Sequence, residues 1–179
     1  METELSAVTF RLAGPDDAAS LSEFASVVFL ETFGPDNTAA DSEAYQALAF
    51  SPAIQATEIA SPGAITVLAM DADRIAGYAY LAPGPPDTVT VEADPIEIKR
   101  FYIGSKHHGR GLGRRLMLDV FDRSKSAGAR TIWLGVWERN ARAIAFYHKL
   151  GFTQIGTHPF RLGSDLQTDW VMQNTTALR

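Results

Sequence analysis

The stretch "HHGRGLGRRLM", His107–Met117, brings three glycines and three arginines together where an apolar helical repeat begins. The first backbone N–H groups of a helix lack acceptors within the helix, and the helix dipole adds positive potential at that end. Glycine lets an anion approach the backbone closely, and arginine adds charge-assisted hydrogen bonds. The stretch therefore predicts a phosphate-binding loop at the start of a helix.

Two widespread phosphate-binding motifs do not fit this loop. No Gly-Lys-Ser/Thr follows the glycines, which excludes a Walker A loop. A dinucleotide fingerprint needs Gly-x-Gly-x-x-Gly in the first strand–helix–strand unit. Here Gly109, Gly111 and Gly113 are spaced Gly-x-Gly-x-Gly, and predicted helices precede them. The alternative without function is a glycine-rich helix start that binds nothing.

The pattern on either side of the loop predicts strands and helices in groups. A strand at Val8–Leu12 precedes a helix capped near Asp16, and Asp41 or Ser42 caps the next helix. After two or three helices the order continues with three strands, a helix, a strand, a helix and two strands. No linker or repeat interrupts it. We therefore expect one α/β domain over residues 1–179, with a mixed sheet flanked by helices.

Composition limits the class of protein. Hydrophobic residues make up 46% of the 179 residues, as in globular proteins, and there is no cysteine. The lack of cysteine excludes disulfides, thiolate metal sites and a cysteine nucleophile. We find no long apolar run and no charged-then-apolar leader, so we expect neither a membrane span nor a signal peptide. These features favour a cytoplasmic location.

Charge is distributed unevenly along the chain. Residues 1–98 contain 16 acidic and 2 basic residues, and residues 99–179 contain 5 acidic and 14 basic residues. This asymmetry favours two sites of opposite charge, one for an anion and one for a cation, although a random drift of surface charge would look the same. The basic residues are dispersed through periodic elements, which argues against nucleic acid as a partner.

The loop His108–Gly113 resembles the Gln/Arg-x-x-Gly-x-Gly/Ala loop of the GNAT superfamily of N-acetyltransferases, with His108 departing from the usual first residue. The stretch "WERNARAIAFYHKLGF" resembles the Asn-x-x-Ala-x-x-x-Tyr-x-Lys-x-Gly-Phe segment of the same superfamily, and the order of elements matches its fold. The segments "ETF", "AYQALAF" and "QTDWVM" are further similar to bacterial spermidine/spermine N-acetyltransferases of the PaiA type. The resemblance implies a single GNAT domain with a twisted, mostly antiparallel sheet.

The resemblance also implies acetyl-coenzyme A as co-substrate. The reaction that it implies needs no metal. The loop would hold the diphosphate, and the backbone of the strand before the loop would lie along the pantetheine arm. Asn140 would contact that arm or merely cap its helix, and Lys149 would reach the adenosine phosphate or remain solvated. The residues expected to bind the co-substrate are Phe101, Tyr102, Ile103, His108, Gly109, Arg110, Gly111, Leu112, Gly113, Arg114, Asn140 and Lys149.

Acetyl transfer to an amine requires a neutral amine, a stabilised oxyanion and a proton for the leaving thiolate. A lysine-like amine has a pKa of about 10.4, so deprotonating it at pH 7 costs about 4.6 kcal/mol. Glu97, on the strand that leads to the loop, is the predicted general base, and its alternative role is an ion pair with Lys99. Tyr147, at the family's tyrosine position, is the predicted general acid, and its alternative role is core packing.

The acidic N-terminal half predicts a cationic acceptor, preferably a polyamine, on the side of the first helices. Glu31, Asp36 and Asp41 are the expected substrate-binding residues, whereas Lys99 would repel a polycation. Three alternatives remain open: a protein N-terminus or lysine, an amino-sugar such as an aminoglycoside, or a non-catalytic acyl-coenzyme A sensor. A homodimer is compatible with the sequence, which does not specify an oligomeric state.

Overall fold

The computed structural model describes residues 8–175, and within them seven strands form one sheet. The strands are β1 (Val8–Leu12), β2 (Ile65–Asp71), β3 (Arg74–Pro83), β4 (Pro95–Ile103), β5 (Thr131–Trp137), β6 (Thr153–Leu162) and β7 (Asp165–Asn174). The α-helices are α1 (Ala18–Phe33), α2 (Ala39–Ala49), α3 (Pro52–Ala60), α4 (Leu112–Ser126) and α5 (Ala141–Lys149). None of these helices is long and apolar enough to cross a bilayer.

The sheet has the strand order β1-β2-β3-β4-β5-β7-β6. All neighbouring strands are antiparallel except β4 and β5, which run parallel with α4 between them in the chain. The predicted mixed, mostly antiparallel sheet flanked by helices is therefore confirmed.

Each face of the sheet is covered by its own group of helices. The apolar stripe of α4, with Leu112, Leu116 and Val120 fully buried, packs on one face together with α5. The N-terminal helices cover the other face, where Phe29 and Phe50 join Tyr78 in a second cluster. Burial of these two apolar layers holds the helices on the sheet.

The second helix begins earlier than the sequence predicts. Its N-cap is Thr38, whose hydroxyl Oγ1 accepts a hydrogen bond of 3.1 Å from the backbone N–H of Asp41. The prediction of Asp41 or Ser42 as the cap was therefore wrong. Good capping side chains occur at Asn37, Thr38, Asp41 and Ser42, and Thr38, directly before the first helical residue, has the extended backbone that an N-cap requires.

The sheet opens between its two parallel strands. β4 and β5 are paired at only three positions, Pro95 with Thr131, Ile96 with Ile132 and Glu97 with Trp133. Beyond these pairs the strands separate. On its other side β4 stays paired with β3, with a bulge at Lys99, because Tyr80 faces Arg100 while Leu81 faces Ile98. The separation leaves one edge of β4 without a strand partner in the middle of the sheet.

Candidate active site

A cavity of about 670 Å³ occupies the gap between β4 and β5. One wall is formed by β4, from Ile98 to Ile103, and another by Gly135–Trp137 of β5. One end of the cavity lies at the N-terminus of α4, and residues of α1, α2, β6 and β7 line it as well. Within residues 8–175, no three His, Asp or Glu side chains are grouped so as to hold a metal ion.

The glycine loop, residues 108–113, is shaped by two left-handed residues. Gly109 has φ 72° and Gly111 has φ 80°, a conformation that residues with a side chain rarely adopt, so both positions favour glycine. α4 begins directly after Gly111. The loop is joined to β4 because the imidazole Nε2 of His108 donates to the carbonyl of Ile103 over 2.8 Å. The loop therefore presents the first N–H groups of α4 to the cavity.

The predicted co-substrate residues mostly meet around this cavity. Arg110 is exposed and does not line it. The others line it together: Phe101, Tyr102, Ile103, His108, Gly109, Gly111, Leu112, Gly113, Arg114, Asn140 and Lys149. The grouping reflects the topology, since β4, the start of α4 and α5 all border the gap in the sheet.

Tyr147 lies in α5 and lines the same cavity. Its ring packs edge-on against Phe101 and Phe152, with centroid distances of 6.5 Å and 5.6 Å, and the residue is buried. Burial raises the pKa of Tyr147 well above its ordinary value, so its hydroxyl keeps its proton at neutral pH. Asn140 caps α5, with Oδ1 accepting from the N–H of Ala143 over 3.1 Å. A buried, protonated hydroxyl is suited to donate a proton inside the cavity.

Glu97 lies in the paired section of β4, below the gap, and does not line the cavity. Its Oε2 is 2.7 Å from Nζ of Lys99, in a partly exposed ion pair. This geometry matches the alternative role considered for Glu97. Its role as general base stays a prediction.

The three acids predicted to bind the acceptor lie outside the cavity lining. Glu31 and Asp36 are exposed. Asp41 accepts hydrogen bonds from the hydroxyl of Thr38 (2.7 Å), the N–H of Ser164 (2.6 Å) and the hydroxyl of Ser164 (2.8 Å). These bonds, that from Thr38 first, lower the pKa of Asp41. Asp41 thus ties the turn between β6 and β7 to the start of α2.

One acid that sequence reasoning missed lies in the cavity. Asp169, on β7, is 8% exposed, and it is the one carboxylate among the described lining residues. Burial, with a smaller contribution from Glu138, raises the pKa of Asp169 to about 6. The period-two alternation of a strand, which places Asp169 on the same face as buried Val171, is the sequence signal that could have identified it.

The positive charge of Arg100 is neutralised by an acidic neighbour. Its guanidinium forms an ion pair with Glu58 of α3 and lies over the rings of Phe50 and Tyr80, at 5.2 Å and 5.4 Å from their centroids. Arg100 therefore joins α3 to the sheet at the wall of the cavity.

Comparisons with known proteins agree with this geometry. An uncharacterized N-acetyltransferase in the pepI 3' region of Lactobacillus delbrueckii subsp. lactis is 32% identical over 145 residues, covering 81% of this chain and 84% of that protein. The [ribosomal protein bS18]-alanine N-acetyltransferase of Salmonella typhimurium is 47% identical over 82 residues, covering 46% of this chain and 50% of that protein.

A solved structure has the same fold. The PaiA N-acetyltransferase from Thermoplasma acidophilum, in complex with coenzyme A, superposes with a TM-score of 0.77 at 20% identity, covering 94% of this chain and 98% of that chain. The family model for the acetyltransferase (GNAT) family matches residues 26–152, which span the sheet gap, the glycine loop and Tyr147. This chain therefore belongs to the GNAT family and is an N-acetyltransferase.

Proposed function

We propose that this protein transfers the acetyl group of acetyl-coenzyme A to a primary amine of a small cationic acceptor. The observation that carries the proposal is the continuous cavity between β4 and β5. It links an anion-binding helix start to a buried tyrosine hydroxyl and to a buried carboxylate. These are the three kinds of group that the reaction needs.

The residues present fit acetyl-coenzyme A. The backbone N–H groups at the start of α4, with Arg114 beside them, suit a diphosphate. The unpaired edge of β4 offers backbone groups of alternate residues in the stretch 101–103 to the amides of the pantetheine arm and to the thioester carbonyl. Acetyl-coenzyme A supplies an acetyl thioester that an amine can displace.

Tyr147 is proposed as the proton donor. Its hydroxyl remains protonated because burial raises its pKa, and Tyr147 lines the cavity together with Asn140 and Phe146. A hydrogen bond from this hydroxyl to the departing sulfur stabilises the negative charge that develops there. Aromatic rings pack against Tyr147, and such an apolar environment strengthens that interaction.

The acceptor is proposed to be a polyamine such as spermidine or spermine, on the strength of the acidic N-terminal half. One amino group would enter the cavity, and exposed acids such as Glu31 and Asp36 would attract the remaining charges from outside. The basic lining residues oppose deeper entry of a polycation; they are Lys99, Arg100, Arg114, Arg142 and Lys149.

The cavity also favours a second acceptor class, an α-amino group of an amino acid or peptide. The cavity has one buried carboxylate to receive an amino group, and its basic lining repels further positive charges. It therefore suits an acceptor with one amino group better than an acceptor with several. An α-amine has a pKa of about 7.7–8.0, so deprotonating it at pH 7 costs only about 1 kcal/mol. The relative that acetylates the alanine of ribosomal protein bS18 provides an example of this class.

The test is thiol release from acetyl-coenzyme A with spermidine, spermine, putrescine, an aminoglycoside, a lysine peptide and an alanine-initiated peptide. Saturable turnover with the polyamines supports the first acceptor class, and turnover with the alanine-initiated peptide alone supports the second. Tyr147→Phe should lower kcat by roughly 10²–10⁴-fold, whereas Tyr80→Phe, a buried tyrosine outside the cavity, serves as the matched control. Tight coenzyme binding without thiol release from any amine would indicate a sensor and overturn the proposal.

A further inference from the structure

We propose that Asp169, with His158 beside it, is the proton acceptor for the incoming amine. This inference rests on the proposed acetyl transfer and names a second proton-handling group for it. Asp169 lies on β7, paired across the sheet with Trp137 of β5 on one side and with His158 of β6 on the other. His158 Nε2 is 3.9 Å from Asp169 Oδ2.

In the part of the chain that the structure describes, one polar atom of each side chain in this pair lacks a hydrogen-bond partner. Asp169 Oδ1 and His158 Nε2 are both buried, and neither has a hydrogen-bond partner in residues 8–175. Burying a carboxylate oxygen without a hydrogen-bond donor costs free energy, and this cost falls when a ligand supplies an N–H group. Asp169 lines the cavity, where an ammonium or amine nitrogen can supply such donors to its carboxylate. The site is therefore complementary to an amine and not to another acid.

The neighbouring glycine makes room for this pair. A Cβ on Gly135 would lie 2.6 Å from His158 Nε2 and 3.3 Å from Asp169 Oδ2. The backbone of Gly135 is not left-handed, so the turn geometry does not require glycine there. What requires glycine is space, because any side chain at residue 135 would meet the imidazole and the carboxylate. Gly135 lines the same cavity as Asp169.

The charged groups around Asp169 do not neutralise its carboxylate, which stays available to accept a proton. Glu138 follows β5 and adds negative potential to Asp169. Burial raises the pKa values of Tyr45 on α2 and Tyr102 on β4, so both rings stay neutral. The cationic groups nearby on β4 are each paired with an acid: Arg100 with Glu58, and Lys99 with Glu97. On β6 the neighbour is His158.

Burial also prepares the carboxylate as a base. With a pKa of about 6, Asp169 is deprotonated at pH 7 and yet more basic than an ordinary aspartate. Glu97, by contrast, lies outside the cavity lining and is bound to Lys99. Of these two carboxylates, Asp169 is the one positioned where an amine in the cavity can reach it.

The three protons of the acceptor's ammonium group go to three different places. Asp169 takes one proton from the ammonium group and later releases it to solvent. Tyr147 gives its hydroxyl proton to the sulfur while the nitrogen–carbon bond forms and the carbon–sulfur bond breaks with its electron pair going to sulfur. Tyr147 recovers a proton from the second N–H of the attacking nitrogen, and the third proton stays on the amide product. One proton is released for each acetyl group transferred.

The first test compares Asp169→Asn with Asp73→Asn, an exposed aspartate in the turn between β2 and β3. Asp169→Asn should lower kcat/KM for the amine by roughly 10²–10⁴-fold, with the Kd for coenzyme A unchanged. In the unaltered enzyme kcat/KM should rise with pH through an apparent pKa near 6, and this limb should be absent in the variant. A full acid limb in Asp169→Asn, or its loss in Glu97→Gln instead, would overturn the inference.

A second readout does not depend on turnover. The carboxyl ¹³C signal of Asp169 is titrated by NMR with coenzyme A bound, with and without spermidine and, separately, the alanine-initiated peptide. A bound ammonium should lower the pKa of Asp169, because an adjacent positive charge favours the carboxylate. A lowered pKa without acetyl transfer would refute the proposed function while leaving the amine site standing. A pKa unaffected by any amine that the enzyme acetylates would refute the site alone.

Discussion

The two ends of the cavity are built from different kinds of sequence information. At the end formed by the glycine loop, the groups that matter are backbone N–H groups, and six consecutive residues, the last two of them the first residues of α4, provide them. At the acid end, Gly135, His158 and Asp169 come from three different strands. Local spacing therefore reveals the first end. The second end exists only once β5, β6 and β7 are aligned in one sheet.

This difference predicts that the two ends can be damaged separately. A change in the glycine loop should weaken coenzyme binding and leave the acceptor's KM unaffected, whereas a change at the acid end should do the reverse. Four substitutions test this separation. The effect predicted for each, on amine turnover, coenzyme binding, thermal stability and the turn between β6 and β7, becomes smaller from the first to the last.

Gly135→Val should have the largest effect. Its side chain would occupy the space now held by the His158 imidazole and the Asp169 carboxylate, so both would be displaced from their present positions. Because this variant displaces the proposed proton acceptor, we expect kcat/KM for the amine to fall by roughly 10²–10⁴-fold, with the Kd for coenzyme A, measured by calorimetry, unchanged. Gly135→Ala should have a smaller effect, because the imidazole end of His158 can swing aside. Equal losses of coenzyme and amine binding would show that the two ends are not separable.

Gly111→Ala should act on the other end. A residue with a Cβ pays about 1–2 kcal/mol in the left-handed conformation, so coenzyme binding should weaken by roughly 5–30-fold if relief of that strain distorts the loop. The matched control is Gly128→Ala, just beyond the other end of α4, which is also left-handed and also has open space around it. Both variants should lower Tm, and only Gly111→Ala should raise the Kd for coenzyme A. A similar Kd for coenzyme A in the two variants would contradict the proposed role of the glycine loop in binding the coenzyme.

Asp169→Asn should raise the thermal stability of the protein while lowering its activity. The folded pKa of Asp169 is raised, so its contribution to stability is fully present below pH 4 and is lost as pH rises through about 6. An asparagine does not undergo this loss. We expect the variant's Tm to exceed that of the unaltered protein by a few degrees at pH 7–8, and the difference to shrink toward pH 4. A variant that is less stable at pH 8 would show that the charged carboxylate is satisfied in the fold.

Asp41→Ala should have the smallest effect on catalysis. Loss of its hydrogen bonds to Thr38 and Ser164 should loosen the turn between β6 and β7 and lower Tm. Proteolysis near residues 163–164 should become faster. Glu43→Ala, an exposed acid of the same helix, is the control. A large rise in KM for spermidine with unchanged Tm would instead support the predicted role of Asp41 in binding the acceptor.

The amino-acid sequence alone determined the features that depend on neighbours along the chain. The spacing of Gly109, Gly111 and Gly113, the cap at Asn140 and the apolar stripe of α4 all follow from local backbone geometry. The order of helices and strands follows in the same way from hydrophobic periodicity, and the structure confirms the mixed, mostly antiparallel sheet. Helix starts, turns and periodicity involve residues within about one or two helical turns of each other, so a single sequence contains the information.

Only the tertiary structure decided where the chemistry of the acceptor lies. The parting of β4 from β5 after three pairs opens the cavity, and no pattern within either strand specifies it. The same parting leaves Glu97 below the cavity and bound to Lys99. Strand register brings Asp169 beside His158 and opposite the space at Gly135. A carboxylate becomes a base through burial and neighbouring charge, and both are properties of the assembled sheet rather than of the residue.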